Sequence, residues 1–269
     1  MFFVGRTRGK FIRWTLILTA TLACIVTGEY ARSADNRDSS AAPVLLELFT
    51  SEGCSSCPPA DASVQRIDTM QPFRGARVIV LSEHVDYWDQ DGWKDPYSSP
   101  SFTYRQSEYV RALGLATAYT PQIIVDGTTV LRGDAAQIQE TFAKAAAEPK
   151  VAVQIGSLSV DPQPGLVRAH IDVDGSAATH NADIFVAIAL DHAESQVLRG
   201  ENSGRDLKYV AVVEEIKKVG KLDKGKTFSR DVELKLKPGT DPKNLRIIAF
   251  VQESGPGKVL GAAMQKPGA

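Results

Sequence analysis

The apolar segments of this 269-residue chain change character near Pro149. Before that residue, strand-like and helix-like segments alternate, an order that indicates a mixed sheet with helices on both faces. After it, short apolar segments are separated by Gly, Pro, Asn and Asp, which is typical of an all-β sandwich. The sequence therefore predicts an α/β domain over residues 43–149 and a β-sandwich-like domain over residues 150–269.

The individual elements follow from the same pattern. In the first domain we expect strands at 44–49 and 77–81, helices at 60–70 and 101–113, a hairpin of 121–125 and 129–131, and a last helix from 134 to about 147. The connection over residues 84–101 is long, and long ordered loops are often functional. In the second domain the seven expected strands are 151–155, 166–173, 184–190, 209–213, 232–236, 245–251 and 259–264.

The N-terminus has the layout of a secretory signal peptide. A basic stretch with Arg6 and Arg13 precedes an apolar stretch over residues 14–26, which is followed by small and polar residues. We expect a signal peptide over residues 1–34, a disordered leader over 35–42, and an exported protein that is periplasmic or secreted. The apolar stretch is short and rich in Thr, so no stable membrane span is expected after cleavage. Lipidation at Cys24 is an alternative.

Charge argues against nucleic acid as a partner. The full chain has a net charge of −1 at pH 7, and removal of its basic N-terminus makes the remainder more acidic. The short basic run over residues 217–226 is typical of a solvated face, so the chain lacks the electrostatic footprint of a nucleic-acid-binding protein.

Two of the three cysteines, Cys54 and Cys57, form a CxxC pair between a buried strand and a helix. The N-terminus of a helix stabilises a thiolate, so thiol chemistry is favoured there. A zinc site would need a second pair of ligands, which the sequence does not offer at suitable spacing. A purely structural disulfide remains an alternative, although an exported chain of this size does not need one for stability.

A second signal lies in the distant segment Thr120-Pro121, which opens an apolar strand ending in a glycine turn. Proline cannot donate to a strand ladder at that point, which suits an edge or a place where a substrate chain docks. Together with the CxxC pair, this segment favours a redox site.

The two signals resemble the active-site motif and the cis-proline loop of the thioredoxin superfamily. More closely, the chain resembles the exported bacterial family called domain of unknown function 1223, whose motifs are matched by ELFTSEGCSSCPPAD at 47–61, HVDYWD at 84–89, GWKDP at 92–96, YTPQ at 119–122, and the Glu201-Asn202 and Gly204-Arg205 pairs. The resemblance implies a thioredoxin-like fold for the first domain.

The resemblance also implies roles for individual residues. Cys54, nearer the surface, would attack a substrate disulfide, and Cys57 would resolve the mixed disulfide. Pro121, cis and preceded by Thr120, would face the two sulfurs. Glu47 would be a buried acid that moves a proton to or from the second cysteine. The central Ser55-Ser56 pair matches neither thioredoxin nor the strong bacterial oxidants, so the direction of the reaction stays open.

The leading prediction is an exported thiol–disulfide oxidoreductase that acts on a protein or a small thiol and exchanges electrons with an unidentified redox partner. Its redox group is the cysteine pair itself, and no other cofactor is expected. One alternative is a copper-handling protein with Cys54, Cys57 and His84 as ligands, because thiolates and imidazole suit that metal. Another is a non-catalytic envelope module that recruits a partner through its sandwich.

Overall fold

The computed structural model describes Met1, residues 41–163 and residues 165–268. Residues 41–269 form one compact unit. The predicted signal peptide (1–34), the alternative lipidation site Cys24 and most of the predicted leader lie outside the described residues. Within the described ranges, no helix has the length and apolar character needed to cross a membrane.

The order of helices and strands agrees with the sequence prediction. Before Pro149 the chain forms β1 (Ala42–Thr50), α1 (Pro58–Met70), β2 (Ala76–His84), α2 (Pro100–Ala112), β3 (Gln122–Val125), β4 (Thr129–Val130) and α3 (Ala135–Ala147). After it come β5 (Ala152–Asp161), β6 (Leu166–Asp174), β7 (Ala182–Gln196), β8 (Asp206–Leu222), β9 (Thr227–Lys235), β10 (Leu245–Glu253) and β11 (Val259–Gln265), with a short 3-10 helix at Pro242–Asn244.

The predicted fold class, a thioredoxin-like α/β domain followed by a β-sandwich-like domain, is wrong. The described residues contain eleven strands and three α-helices, and eight strands form one mixed sheet in the order β11-β10-β7-β8-β2-β1-β3-β4. Strands from both sides of Pro149 share this sheet, because β2 pairs in parallel with β8 as well as with β1. A sequence pattern identifies a buried strand but does not specify its partner.

The other three strands form a second sheet in the order β5-β6-β9. Its inward residues, including Val167, Ile171 and Leu234, pack against Val186 and Ile247 of the large sheet. The β-sandwich packing expected after Pro149 is therefore present in part, but one of its two layers belongs to the eight-stranded sheet.

The alternation of side chains along β1 decides what each face of the sheet contacts. Leu46 and Leu48 belong to the apolar core that contains Val64 of α1 and Phe142 of α3. Phe49 points the other way and contacts Tyr109 of α2, with 6.0 Å between ring centroids. Helix α1 and helix α2 consequently lie on opposite faces of β1, which determines the residues that can reach the cysteine pair.

Candidate active site at the Cys54–Cys57 disulfide

The cysteine pair lies in the turn between β1 and α1. Cys54 and Cys57 form a disulfide with 5.4 Å between their Cα atoms, and Cys57 is the N-cap residue of α1. The exposed residues of the turn are Ser55 and Ser56. Both cysteines are 0% exposed, so the expectation that Cys54 lies nearer the surface is wrong.

Strand pairing brings the Thr120-Pro121 segment to this turn. Strand β3 runs antiparallel to β1 with Gln122 opposite Phe49, so the residues before β3 lie beside those after β1. The Thr120–Pro121 peptide bond is cis, as the resemblance implies. Ser56 Oγ lies 3.4 Å from Cys54 Sγ and donates to Thr120 O at 3.5 Å. The structure thus brings together Cys54, Cys57 and the Thr120-Pro121 segment.

Two tryptophans from the long connection between β2 and α2 pack against the turn and its neighbours. The indole N–H of Trp88 donates to Thr120 Oγ1 at 2.8 Å, and a Cβ on Gly53 would lie 2.8 Å from Trp88 Cβ. The indole N–H of Trp93 donates to Glu52 Oε2 at 2.7 Å. Glycine at position 53 therefore gives Trp88 the room to pack against the backbone directly before Cys54.

A hairpin from the second half of the chain covers the turn from another direction. Residues 197–205 connect β7 to β8, and Asn202, which is 0% exposed, donates through Nδ2 to Glu52 O and Cys54 O, both at 2.9 Å. Next to it, Glu201 Oε2 accepts from the backbone N–H of Ser55 at 3.0 Å. Glu201 and Asn202 match a motif of the family resemblance, but their place at the turn is not predictable from it, because these contacts span about 150 residues.

Ionisable side chains are buried next to the turn. His84 Nδ1 lies 2.7 Å from Asp95 Oδ2, and both side chains are fully buried. Burial alone would raise the pKa of Asp95 and lower the pKa of His84, but their mutual attraction reverses both shifts, so the pair is ionic. The same Asp95 oxygen accepts from the backbone N–H of Glu52 at 2.8 Å, which links the pair to the residue two positions before Cys54.

Two further acids of this region have raised pKa values. Burial, followed by the charge of Asp95, raises the pKa of Glu52. Burial also raises the pKa of Asp61 to about 7. Asp61 lies one helical turn after Cys57, donates its N–H to Cys57 O at 3.1 Å, and accepts from Thr50 Oγ1 at 2.8 Å. Sequence analysis missed Asp61, because an acid in the first turn of a helix is common on protein surfaces.

Glu47 lies on the opposite face of β1. Its carboxylate pairs with Arg105 at 2.6 Å and accepts from the hydroxyl of Tyr109, both of which belong to α2. Glu83 shares the same arginine at 3.6 Å, and burial together with the charge of Glu47 raises the pKa of Glu83 well above its usual range. Because side chains alternate along a strand, Glu47 is directed away from the α1 face, and the structure does not bring it to the cysteine turn.

The copper alternative gains no structural support. In the part of the chain that the structure describes, no group of three or more His, Cys, Asp or Glu side chains could hold a metal ion. His84 is bonded to Asp95 through Nδ1, and its Nε2 is buried without a hydrogen-bond partner.

Fold and site together define a β-rich protein with a covered CxxC disulfide at a strand-to-helix turn. The chain belongs to the family described as protein of unknown function (DUF1223), whose model matches residues 45–252. A comparison with curated protein sequences finds no match.

Solved structures that resemble this one include two with a TM-score of 0.64. The protein AGR_C_4864 from Agrobacterium tumefaciens is 29% identical, with a TM-score of 0.64, and the match covers 83% of this chain and 94% of that one. HBP35 of Porphyromonas gingivalis is 17% identical, with a TM-score of 0.64, over 84% of this chain and 75% of that one. At 17% identity the second likeness concerns the fold alone.

Proposed function

We propose that this protein is an exported thiol–disulfide oxidoreductase in which Cys54 and Cys57 form the exchanging pair. The observation that carries the proposal is the position of the disulfide, at the N-terminus of α1 and in contact through Ser56 with the Thr120-Pro121 segment. The buried groups around it, among them Asp61, can hold the protons that dithiol formation requires. Substrates in this proposal are protein disulfides or small disulfides.

Cys54 is the attacking residue in this proposal and Cys57 the resolving one. Cys54 precedes the exposed Ser55-Ser56 pair, whereas Cys57 caps the helix and accepts its first hydrogen bonds. The Cys54 thiolate attacks one sulfur of a substrate disulfide and releases the other sulfur as a thiolate. Cys57 then attacks Cys54 of the mixed disulfide, so the protein pair is oxidised and the substrate leaves as two thiols.

The surroundings favour the reductase direction. Pro58 and Pro59 occupy the first helical positions and have no N–H to offer a thiolate, and the N–H of Ser55 is bonded to Glu201. A weakly stabilised Cys54 thiolate makes the dithiol form less stable and therefore a better electron donor. Because both sulfurs are buried, exchange also requires Trp88 or the 197–205 hairpin to move aside.

The test is electron transfer from the reduced protein to a peptide disulfide. We expect the wild-type dithiol to reduce it, the Cys57→Ser variant to accumulate a mixed disulfide through Cys54, and the Cys54→Ser variant to form none. Mass spectrometry of acid-quenched samples identifies the adducts, and circular dichroism confirms that each variant is folded. Reduction by wild type that is no faster than by Cys54→Ser would refute the proposal.

A further inference from the structure

A carboxylate is held next to the exposed edge of the cysteine turn. Ser55 and Ser56 are the exposed residues of the turn, so a reagent approaching the sulfurs meets this edge. Glu201 lies there, bonded through Oε2 to the backbone N–H of Ser55 at 3.0 Å. Its neighbour Asn202 is fully buried and bonded to two backbone carbonyls of the same turn, which holds the Glu201 backbone next to the disulfide.

The buried acids near the turn are paired with a cation or ionise less readily than usual. Asp95 is paired with His84 at 2.7 Å, burial raises the pKa of Glu52, and burial raises the pKa of Asp61 to about 7. The pKa of Glu201 is shifted in the opposite direction, because its hydrogen bonds with Ser55 hold that pKa below the usual range.

Charges of both signs stand on the same hairpin and on the adjacent segments. Arg199 and Arg205 of the 197–205 hairpin have the sign opposite to that of Glu201. Asp86, Asp89 and Asp91 of the β2–α2 connection have the same sign as Glu201. Arg132 has the opposite sign and donates to the hydroxyl of Tyr119 at 2.8 Å. Of these groups, Glu201 is the one bonded directly to the CxxC turn.

We propose that Glu201 makes the cysteine pair selective for disulfides that have a positive charge close to sulfur, and selective against anionic ones. The inference rests on the exchange activity proposed above. In that reaction the protein dithiol and a disulfide R–S–S–R yield the protein disulfide and two R–SH molecules, so the R group stands next to Cys54 in the mixed disulfide. The 197–205 hairpin opens to admit the disulfide and closes again over the mixed disulfide, where Glu201 attracts a cationic R group and repels a carboxylate.

The experiment compares three symmetrical disulfides as oxidants of the reduced protein. The probes are cystamine, which is cationic, bis(2-hydroxyethyl) disulfide, which is neutral, and dithiodiglycolate, which is anionic. Each rate is divided by the rate at which the same probe oxidises dithiothreitol, which removes differences in intrinsic reactivity. At low salt we expect cystamine to exceed dithiodiglycolate by roughly fivefold, and added salt to reduce this ratio.

The Glu201→Gln variant assigns the effect to one residue. Glutamine keeps an oxygen that can accept from Ser55 N–H but removes the charge, so the ratio should fall towards one. Glu233→Gln is the control, since it removes an exposed carboxylate on β9, where it pairs with Arg168, and should leave the ratio unchanged.

The outcomes separate the two proposals. Equal normalised rates in wild type, or an order that Glu201→Gln does not alter, would overturn the selectivity while leaving the exchange activity standing. Failure of all three probes to react faster with wild type than with Cys54→Ser would overturn the exchange activity and the selectivity with it.

Discussion

Asp61 is a buried acid whose ionisation opposes folding. Burial raises its pKa from 3.8 to about 7, so between these values the folded protein binds more protons than the unfolded chain. The free energy of unfolding therefore falls as the pH rises across this range. The contribution of Asp61 to stability is fully present below the unfolded pKa near 4 and is lost as the pH rises through the folded pKa near 7.

The variant Asp61→Asn should remove this loss. Asparagine can still accept from Thr50 Oγ1 but cannot ionise. The free energy of unfolding of the variant should therefore exceed that of wild type by an amount that grows from pH 4 to pH 8 and reaches up to about 4 kcal/mol. Urea unfolding of the oxidised protein across that range measures the difference. Glu140→Gln, an exposed change on α3, is the control, and a gain for Asp61→Asn that does not vary with pH would contradict the argument.

Whether a residue's place in the site can be predicted from the sequence depends on whether it lies in a short local motif. Cys54, Cys57 and Thr120-Pro121 form short motifs, and the structure brings them together. Asn202 also lies in a short motif of the family resemblance, but that motif does not indicate its contacts, because its partners Glu52 O and Cys54 O lie about 150 residues away. The resemblance implies that Glu47 serves the cysteines, but a one-residue difference in a strand reverses the face to which a side chain points.

The 197–205 hairpin is the element from the second half of the chain that covers the disulfide. Replacing Asn202 with alanine removes two hydrogen bonds to the turn, each contributing about 1 kcal/mol. We expect the native disulfide of Asn202→Ala to be reduced by a water-soluble phosphine roughly tenfold faster than that of wild type, because the hairpin detaches more often. Timed alkylation of the released thiols measures the rate.

The neighbouring Ser203→Ala variant is the control for this hairpin. Ser203 is exposed and its hydroxyl bonds within the hairpin, to Leu198 O at 3.1 Å, so the variant should be reduced at the wild-type rate. Urea unfolding of both variants separates hairpin opening from a global loss of stability. Reduction of Asn202→Ala at the wild-type rate would mean that the hairpin does not limit access to the sulfurs.

Sequence periodicity locates the helices and strands but does not show which strands pair with one another. The apolar cores of β7 and β8 were recognised at 184–190 and 209–213, while the strands themselves span 15 and 17 residues. Their extensions are partly polar, so they lack the alternation that predicts a strand. The extensions at 191–196 and 206–208 lead into the 197–205 hairpin that reaches the cysteine turn, and for this reason the sequence pattern predicts a second half that stands apart from the site.

At the scale of the whole molecule, polar contacts as well as the shared sheet join the two halves. Arg246 of β10 is 2% exposed and bonds Asp68 of α1 at 2.8 and 3.1 Å, while its Nε donates to Asp191 at 2.9 Å. Gln252 of β10 donates to the hydroxyl of Tyr109 on α2 at 2.7 Å. Buried contacts of this kind are lost together when either half unfolds, so the halves should depend on one another for stability.

The chain from Ala41 onwards should therefore unfold in one transition. Its tryptophans, Trp88 and Trp93, lie in the first half, and pulsed hydrogen–deuterium exchange in urea of peptides from β6 and β9 reports on the strands after Pro149. We expect the two signals to give the same urea midpoint for the oxidised protein, as for a single cooperative unit. Arg246→Leu leaves the partly buried Asp68 without its cation and Asp191 with Lys266 alone. The variant should lower both midpoints together, by about 3 kcal/mol in free energy of unfolding. Separate midpoints, or a shift confined to one signal, would instead indicate two halves that fold independently.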